Sequence, residues 1–365
     1  MGMRKSRAAV RALRCLLPLA VTTAALTSCG QGTPAALAPA HASGPAASPS
    51  AAGRHQATAR RARTPAASGQ RAGGPLAAPA ALAPFGSPAA AGEGTWSPAG
   101  RTVSGERVVY QTTLVPPGGT YQAGIAWMDT HLLAARLYSG SKSPGGGPYR
   151  YTAPIQSTQA ATLVAAFNGG FMMPAAGGGY YTQDRTIDPL RLGAASLVIY
   201  ADGSVDVGAW GRDVRVASNV VSVRQNLVPL VAGGHPTPQA ASADWQAWGS
   251  TCGATSCAAS VPGIEHQWRS GLGITADGAL VYAAGPALDP LQLAQLLVRA
   301  GVVRGMQLDI NPNWPDFVSY APPAGALAAP SNGRKLLSWT VQGPSTFFEA
   351  WWARDFITMS ARPAS

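Results

Sequence analysis

Gly271-Leu-Gly-Ile-Thr-Ala-Asp277-Gly278-Ala-Leu-Val-Tyr-Ala283 holds two strand-forming runs on either side of Asp-Gly. Asp-Gly accepts the positive φ of a two-residue primed turn, so the stretch predicts a tight antiparallel hairpin. Ser196-Leu-Val-Ile-Tyr-Ala-Asp202-Gly203-Ser-Val-Asp-Val-Gly208 repeats the pattern and predicts a second. As a string, 271–276 also fits a dinucleotide-binding glycine fingerprint. That fingerprint works where a strand turns into a helix, and here a hairpin turn follows, so it is set aside. Downstream, Asp289 is placed as N-cap, Pro290 in the first turn, 291–300 as helix body and Gly301 as stop. A strand over 305–310 follows at once. Further strands are expected over 108–114, 124–129, 131–137, 335–341 and 355–359. A short helix is expected from Ser157 or Thr158 to about Val164. Many hairpins with few helices argue for an α+β class: a single domain of mixed, mostly antiparallel sheet, not a parallel doubly wound one.

Charge divides along the 365 residues. The first 107 carry 12 Lys and Arg against Glu93 and Glu106, and the remaining 258 carry 15 against 14. The net charge of +11 thus belongs to the front of the chain, which removes the case for a nucleic-acid-binding domain. Arg4, Lys5, Arg7, Arg11 and Arg14 form a basic region before an apolar run from Leu16 to about Ala25, too short to span a bilayer and normal for a secretory signal. Leu26-Thr27-Ser28-Cys29 resembles a bacterial lipoprotein signal, which implies acyl chains on Cys29 and a place outside the cytoplasm at the cell membrane. An ordinary secretory peptide is the other reading. Residues 30–106, rich in Ala, Pro, Gly and Ser, are expected to be a disordered linker, with the domain over 107–365. Cys252 and Cys257 are expected to close a loop by a disulfide in the oxidising compartment, with a metal site as the alternative.

Three stretches can carry chemistry. Asn168-Gly169-Gly170-Phe171 offers an amide beside glycines that admit close backbone approach, or else a tight turn. Glu265-His266-Gln267-Trp268-Arg269 gathers a candidate acid or base and a guanidinium able to grip a phosphate in two-pronged fashion; a surface ion pair is the plainer reading. Asp309, Asn311 and Asn313 follow a helix-then-strand unit, where loops often host sites, unless they form only Asx turns.

Taken in order, Asn-Gly-Gly-Phe at 168–171, Asn226-Leu-Val-Pro-Leu-Val-Ala-Gly233, Arg269-Ser-Gly-Leu-Gly273-Ile-Thr-Ala-Asp-Gly278 and Gly305-Met-Gln-Leu-Asp309 resemble the phosphodiester glycosidase domain family. The resemblance spans about 150–310. It implies hydrolysis of a sugar-1-phosphodiester at the anomeric C–O bond, on cell-envelope or extracellular glycan. Asn168, Gly169, Gly170, Arg269, Asn311 and Asn313 would bind substrate, and Asp309 would stabilise the oxocarbenium ion or activate water, with Glu265 and His266 as candidate acid or base. No cofactor is expected. The family's Leu-Asp-Gly-Gly-Gly-Ser becomes Leu308-Asp309-Ile310-Asn311-Pro312-Asn313 here; backbone donors are lost, since Pro312 has no N–H. The alternative is a non-catalytic wall-glycan-binding lipoprotein of the same fold, stacking sugars on some of Trp245, Trp248, Trp268, Trp314, Trp351 and Trp352.

Overall fold

A computed structural model describes residues 74–242, 245–249, 266–350 and 352–363. Cys29, Cys252, Cys257, Glu265 and Trp351 lie outside the described residues, as does the expected signal segment. Both Asp-Gly hairpins form. Ala195–Tyr200 pairs with Val205–Ala209, and Gln267–Thr275 with Leu280–Leu288; the turn glycines Gly203 and Gly278 have φ of 78° and 95°. The helix is Pro290–Arg299. Asp289 accepts from Gln292 N at 2.7 Å and the Gln292 side chain accepts from Asp289 N at 3.0 Å, a capping box that contributes about 1 kcal/mol.

The fold is α+β, with antiparallel pairing between all its paired strands and three short or medium α-helices among the described residues. An eight-stranded sheet runs in the order Ser97–Ala99, Val109–Leu114, Ala123–Met128, Leu280–Leu288, Gln267–Thr275, Val302–Gln307, Pro229–Ala232, His235–Pro236. It is buried on both faces. Ile125, Val281, Ala283 and Val302 meet Leu293, Leu296 and Leu297 of the helix on one side. Their alternating neighbours Ala126, Met128, Leu280 and Tyr282 meet two five-stranded sheets on the other. One of these sheets is ordered Arg185–Asp188, Tyr180–Thr182, Val220–Gln225, Ala195–Tyr200, Val205–Ala209. The other is ordered Gly333–Lys335, Phe317–Tyr320, Leu163–Asn168, Phe356–Ala361, Leu133–Tyr138.

Three expectations are corrected. The helix from Ser157 stops at Ala160, and Leu163–Asn168 is a strand. Its Ala-rich run is hydrogen-bonded on both sides, so sheet pairing overrides helix propensity. Of 335–341 only Lys335 is in a strand, Gly333–Lys335. The last part of the expected linker also lies on the domain. Leu76, Leu82, Phe85 and Trp96 pack against the helix-side core. Arg299 sits 4.0 Å from the Phe85 ring centroid, and Asp129 Oδ2 accepts from Leu76 N at 2.9 Å. A few large apolar residues suffice where an apolar face already waits for them, which average composition does not register.

Candidate functional site

The third sheet's register builds the site. Leu163–Asn168 is its middle strand, and both neighbours run against it, with Phe317 opposite Phe167 and Phe356 opposite Asn168. The residues entering those neighbours, Asp316, Arg354 and Asp355, therefore arrive where Asn168 leaves. Val302–Gln307 of the eight-stranded sheet ends at the same place and delivers Leu308 and Asp309. Asn168, Asp309, Asp316, Arg354 and Asp355 enclose, with Gly169, Gly170, Trp314, Phe347 and Trp352, a cavity of about 10 Å³, room for roughly one water. The Trp314 and Trp352 indoles meet edge to face over it, centroids 5.6 Å apart.

Asp309 is 3% exposed. Its Oδ1 accepts from Ile310 N at 2.8 Å and Asn311 N at 2.9 Å, and its Oδ2 pairs with Arg354 Nη2. Burial pushes its pKa up to about 6 against the opposing pull of Arg354. Arg354 also donates from Nη2 to Gly170 O at 2.9 Å and lies 5.1 Å from the Trp314 ring centroid. Within the described residues its Nε and Nη1 make no hydrogen bond. A second ion pair lies alongside: Arg224 Nε donates to Asp355 Oδ2 at 2.7 Å and Nη2 to Oδ1 at 3.3 Å, both side chains fully buried. Asp316, 2% exposed, faces the same cavity, and neither of its carboxyl oxygens has a hydrogen-bond partner among the described residues. Burial pushes its pKa up to about 7, with Lys335 pulling the other way. The folded state thus holds this proton more tightly than the unfolded chain. The stabilisation is full below about pH 4 and is lost as pH rises through about 7.

The structure brings together Asn168, Gly169, Gly170 and Asp309 and separates the other expected site residues from them. Ser270 Oγ links the two principal ones, accepting from Asn168 Nδ2 and Asp309 N, each at 3.1 Å. Asn168 is fully used by the protein: Nδ2 also donates to Gly169 O at 2.7 Å, and Oδ1 accepts from Tyr282 Oη at 2.7 Å and Asp316 N at 3.1 Å. It pins the cavity wall and has no amide capacity left for a ligand. Arg269 is completely buried, donating from Nε to Leu288 O at 2.7 Å and from Nη1 to Gln307 Oε1 at 2.7 Å, and it does not line the cavity. Arg354 holds the place that Arg269 was expected to fill. His266, with Nε2 3.9 Å from Asp289 Oδ2, opens with Asn311 and Asn313 on a neighbouring groove of about 710 Å³, which Tyr121, Trp268 and Trp339 also line. Asn311 also makes the plain turn: its Oδ1 accepts from Asn313 N at 3.0 Å.

The glycines have a different reason from the expected one. A Cβ on Gly169 would lie 2.2 Å from Asp355 Oδ2 and 2.8 Å from Asp355 O, and one on Gly170 would lie 2.6 Å from Asn226 Oδ1. They admit protein carboxyl and amide groups beside the cavity wall. Gly169→Ala must therefore shift the backbone at Asp355. It is expected to cost about 1–3 kcal/mol, read as a lowered thermal-unfolding midpoint; an unchanged midpoint would contradict the close packing.

Arg224, Asp316, Arg354 and Asp355 were missed by sequence reading. The signal available was Arg354-Asp355, two charges directly before an apolar strand. Nothing local marks Asp316 or Arg224.

No protein-family model matches the chain, and no curated protein matches it. Among solved structures, the catalytic domain of zebrafish N-acetylglucosamine-1-phosphodiester α-N-acetylglucosaminidase, auto-inhibited by its pro-peptide, is distantly similar, with a TM-score of 0.40 at 13% identity over 73% of this chain and 87% of that one. A hypothetical protein from Synechocystis has a TM-score of 0.35 at 11% identity over 73% of this chain and 64% of that one.

Proposed function

We propose that this chain is a hydrolase that cleaves a sugar-1-phosphodiester at the anomeric C–O bond, exported and held at the membrane through acyl chains on Cys29. One observation carries the enzymatic reading: the first and last of the four family-like stretches line one cavity, and the second and third tie those two together. Asn226 ties the first to the last, accepting from Phe171 N at 2.9 Å and donating to Gln307 O at 2.9 Å and Leu308 O at 3.0 Å. Ser270 of the third stretch ties Asn168 to Asp309. The stretches thus converge on a buried carboxylate paired with a guanidinium, the two groups that such a cleavage needs.

On this reading the Arg354 Nη1 hydrogens hold a diester oxygen, and the carboxylate of Asp309 faces the anomeric carbon. Fixed donors on both Asp309 oxygens keep it oriented without reorganisation during the reaction. The cavity is too small for a sugar phosphate while the two indoles are closed, so entry requires Trp314 and Trp352 to part. The neighbouring groove, with Tyr121, Trp268 and Trp339 along it, favours the second reading, a glycan-binding protein without chemistry.

The test is turnover of a panel of sugar-1-phosphate diesters by the full chain in detergent, with wall polysaccharide pull-down alongside. Release of free sugar supports the hydrolase. Retained binding to polysaccharide with no release from any diester would leave the binding protein.

A further inference from the structure

We infer that Asp316 is the proton donor of this site, delivering its proton to the phosphate oxygen that leaves the anomeric carbon. This deepens the hydrolase reading and rests on it. The cavity's charges balance in pairs, Asp309 with Arg354 and Asp355 with Arg224, and Asp316 stands outside both pairs. Ionised, Asp316 would leave the pocket with an excess negative charge and would repel an anionic diester. Protonated, it leaves the pocket neutral and offers an O–H to the diester. Asp316 lines the cavity, and both its carboxyl oxygens are buried with no hydrogen-bond partner among the described residues.

The surroundings divide the two carboxyl groups by role. Asp309 has a guanidinium and two backbone N–H groups that favour its ionised form. Asp316 is faced by Lys335 of Gly333–Lys335 and the backbone N–H of Phe317, which favour its ionised form less than burial opposes it, by the phenols of Tyr282 and of Tyr320 on the strand it leads into, and across the cavity by Asp309, Asp355 and Arg354. Lys335 Nζ is held by Thr340 O and acts on Asp316 through its charge. Carboxyl groups whose environments drive their protonation apart are the arrangement that acid–base pairs use.

The step balances as follows. The bond from the anomeric carbon to the bridging oxygen breaks, and its electron pair goes to the phosphate. The Asp316 carboxyl proton moves to that oxygen. Water adds to the anomeric carbon and gives a proton to the Asp309 carboxylate. The products are free sugar and a phosphomonoester monoanion, and exchange with solvent moves a proton from Asp309 back to Asp316. A phosphomonoester dianion takes up a proton with a pKa of about 6, so an acid titrating near neutrality is matched to this leaving group. A sugar alkoxide would demand a proton far more strongly.

The experiment is the pH profile of kcat/KM on the best diester of the panel, for the wild type, Asp316→Asn and Lys335→Met. The wild type is expected to lose activity above about pH 7. Asp316→Asn is expected to lower kcat/KM about 10²-fold at pH 5 and to abolish the alkaline limb. It should turn over the corresponding glycosyl fluoride, whose leaving group takes no proton, at nearly the wild-type rate. Lys335→Met removes a charge that opposes protonation and should move the alkaline limb to higher pH. An Asp316→Asn enzyme that keeps the limb, or stays within threefold of the wild type on the diester, overturns the inference while leaving the hydrolase intact. Should Asp316→Asn not fold, an alkaline limb unmoved in Lys335→Met overturns it. A wild type inactive on every diester overturns the hydrolase reading itself, and the proton donor with it.

Discussion

Asp309→Asn is expected to lower kcat on a sugar-1-phosphate diester by about 10²–10⁴-fold with little change in KM. The amide keeps the size and can keep the bonds from Ile310 N and Asn311 N to its oxygen. It loses the charge that would stabilise an oxocarbenium ion or take a proton from water. The loss corresponds to about 3–5 kcal/mol of transition-state stabilisation. The pH profile adds a sign. With its pKa pushed up to about 6, Asp309 must lose a proton for activity, so wild-type kcat/KM rises as pH passes about 6. It falls again as Asp316 ionises near 7, leaving a narrow optimum between these values. The acidic limb should vanish in Asp309→Asn. Steady-state kinetics from pH 4 to 9 decides this, and an unchanged kcat would remove Asp309 from the chemistry.

Arg224→Met is expected to produce the largest loss of stability. Arg224 and Asp355 are both buried and bonded through two nitrogens, and Asp355 also accepts from Ser143 Oγ at 3.4 Å. Removing the guanidinium leaves a carboxylate in a site that cannot solvate it, at a cost of about 3–5 kcal/mol. For a domain of this size the unfolding midpoint should fall by roughly ten degrees. Arg224→Met with Asp355→Asn removes both charges and should recover more than half of that loss, because the uncompensated charge is the main cost. Urea unfolding of the three proteins is the check. A single variant within 1 kcal/mol of the wild type would mean that the pair does not carry this charge balance.

Sequence reading reached the elements that depend on near neighbours. Asp-Gly between β-rich runs specifies its turn through backbone conformation alone, and Asp289-Pro290 opens a helix through bonds within four residues. It also singled out Asp309, which the structure places on the cavity wall, because that residue sits in a stretch whose order along the chain is informative. It failed at Leu163 and Val164, expected to end a helix, where two strands distant in sequence supply the hydrogen bonds that make them the start of a strand.

The site divides the same way. The identity of Asp309, the Asn-Gly-Gly-Phe stretch and the loop of Asx turns after Asp309 were legible from the chain. What each does was not. Asn168 looked free to bind a ligand until Tyr282, Ser270 and Asp316 filled its hydrogen-bonding capacity. Arg269 looked like the anion holder, but burial places it against Leu288 and Gln307, and the guanidinium on the cavity is that of Arg354, 45 residues beyond Asp309. Local sequence therefore determined turns and caps, since these rest on short-range sterics and hydrogen bonds. Tertiary structure decided which charges are paired, which are buried and which remain unpartnered, since desolvation and Coulomb energy depend on every neighbour in space.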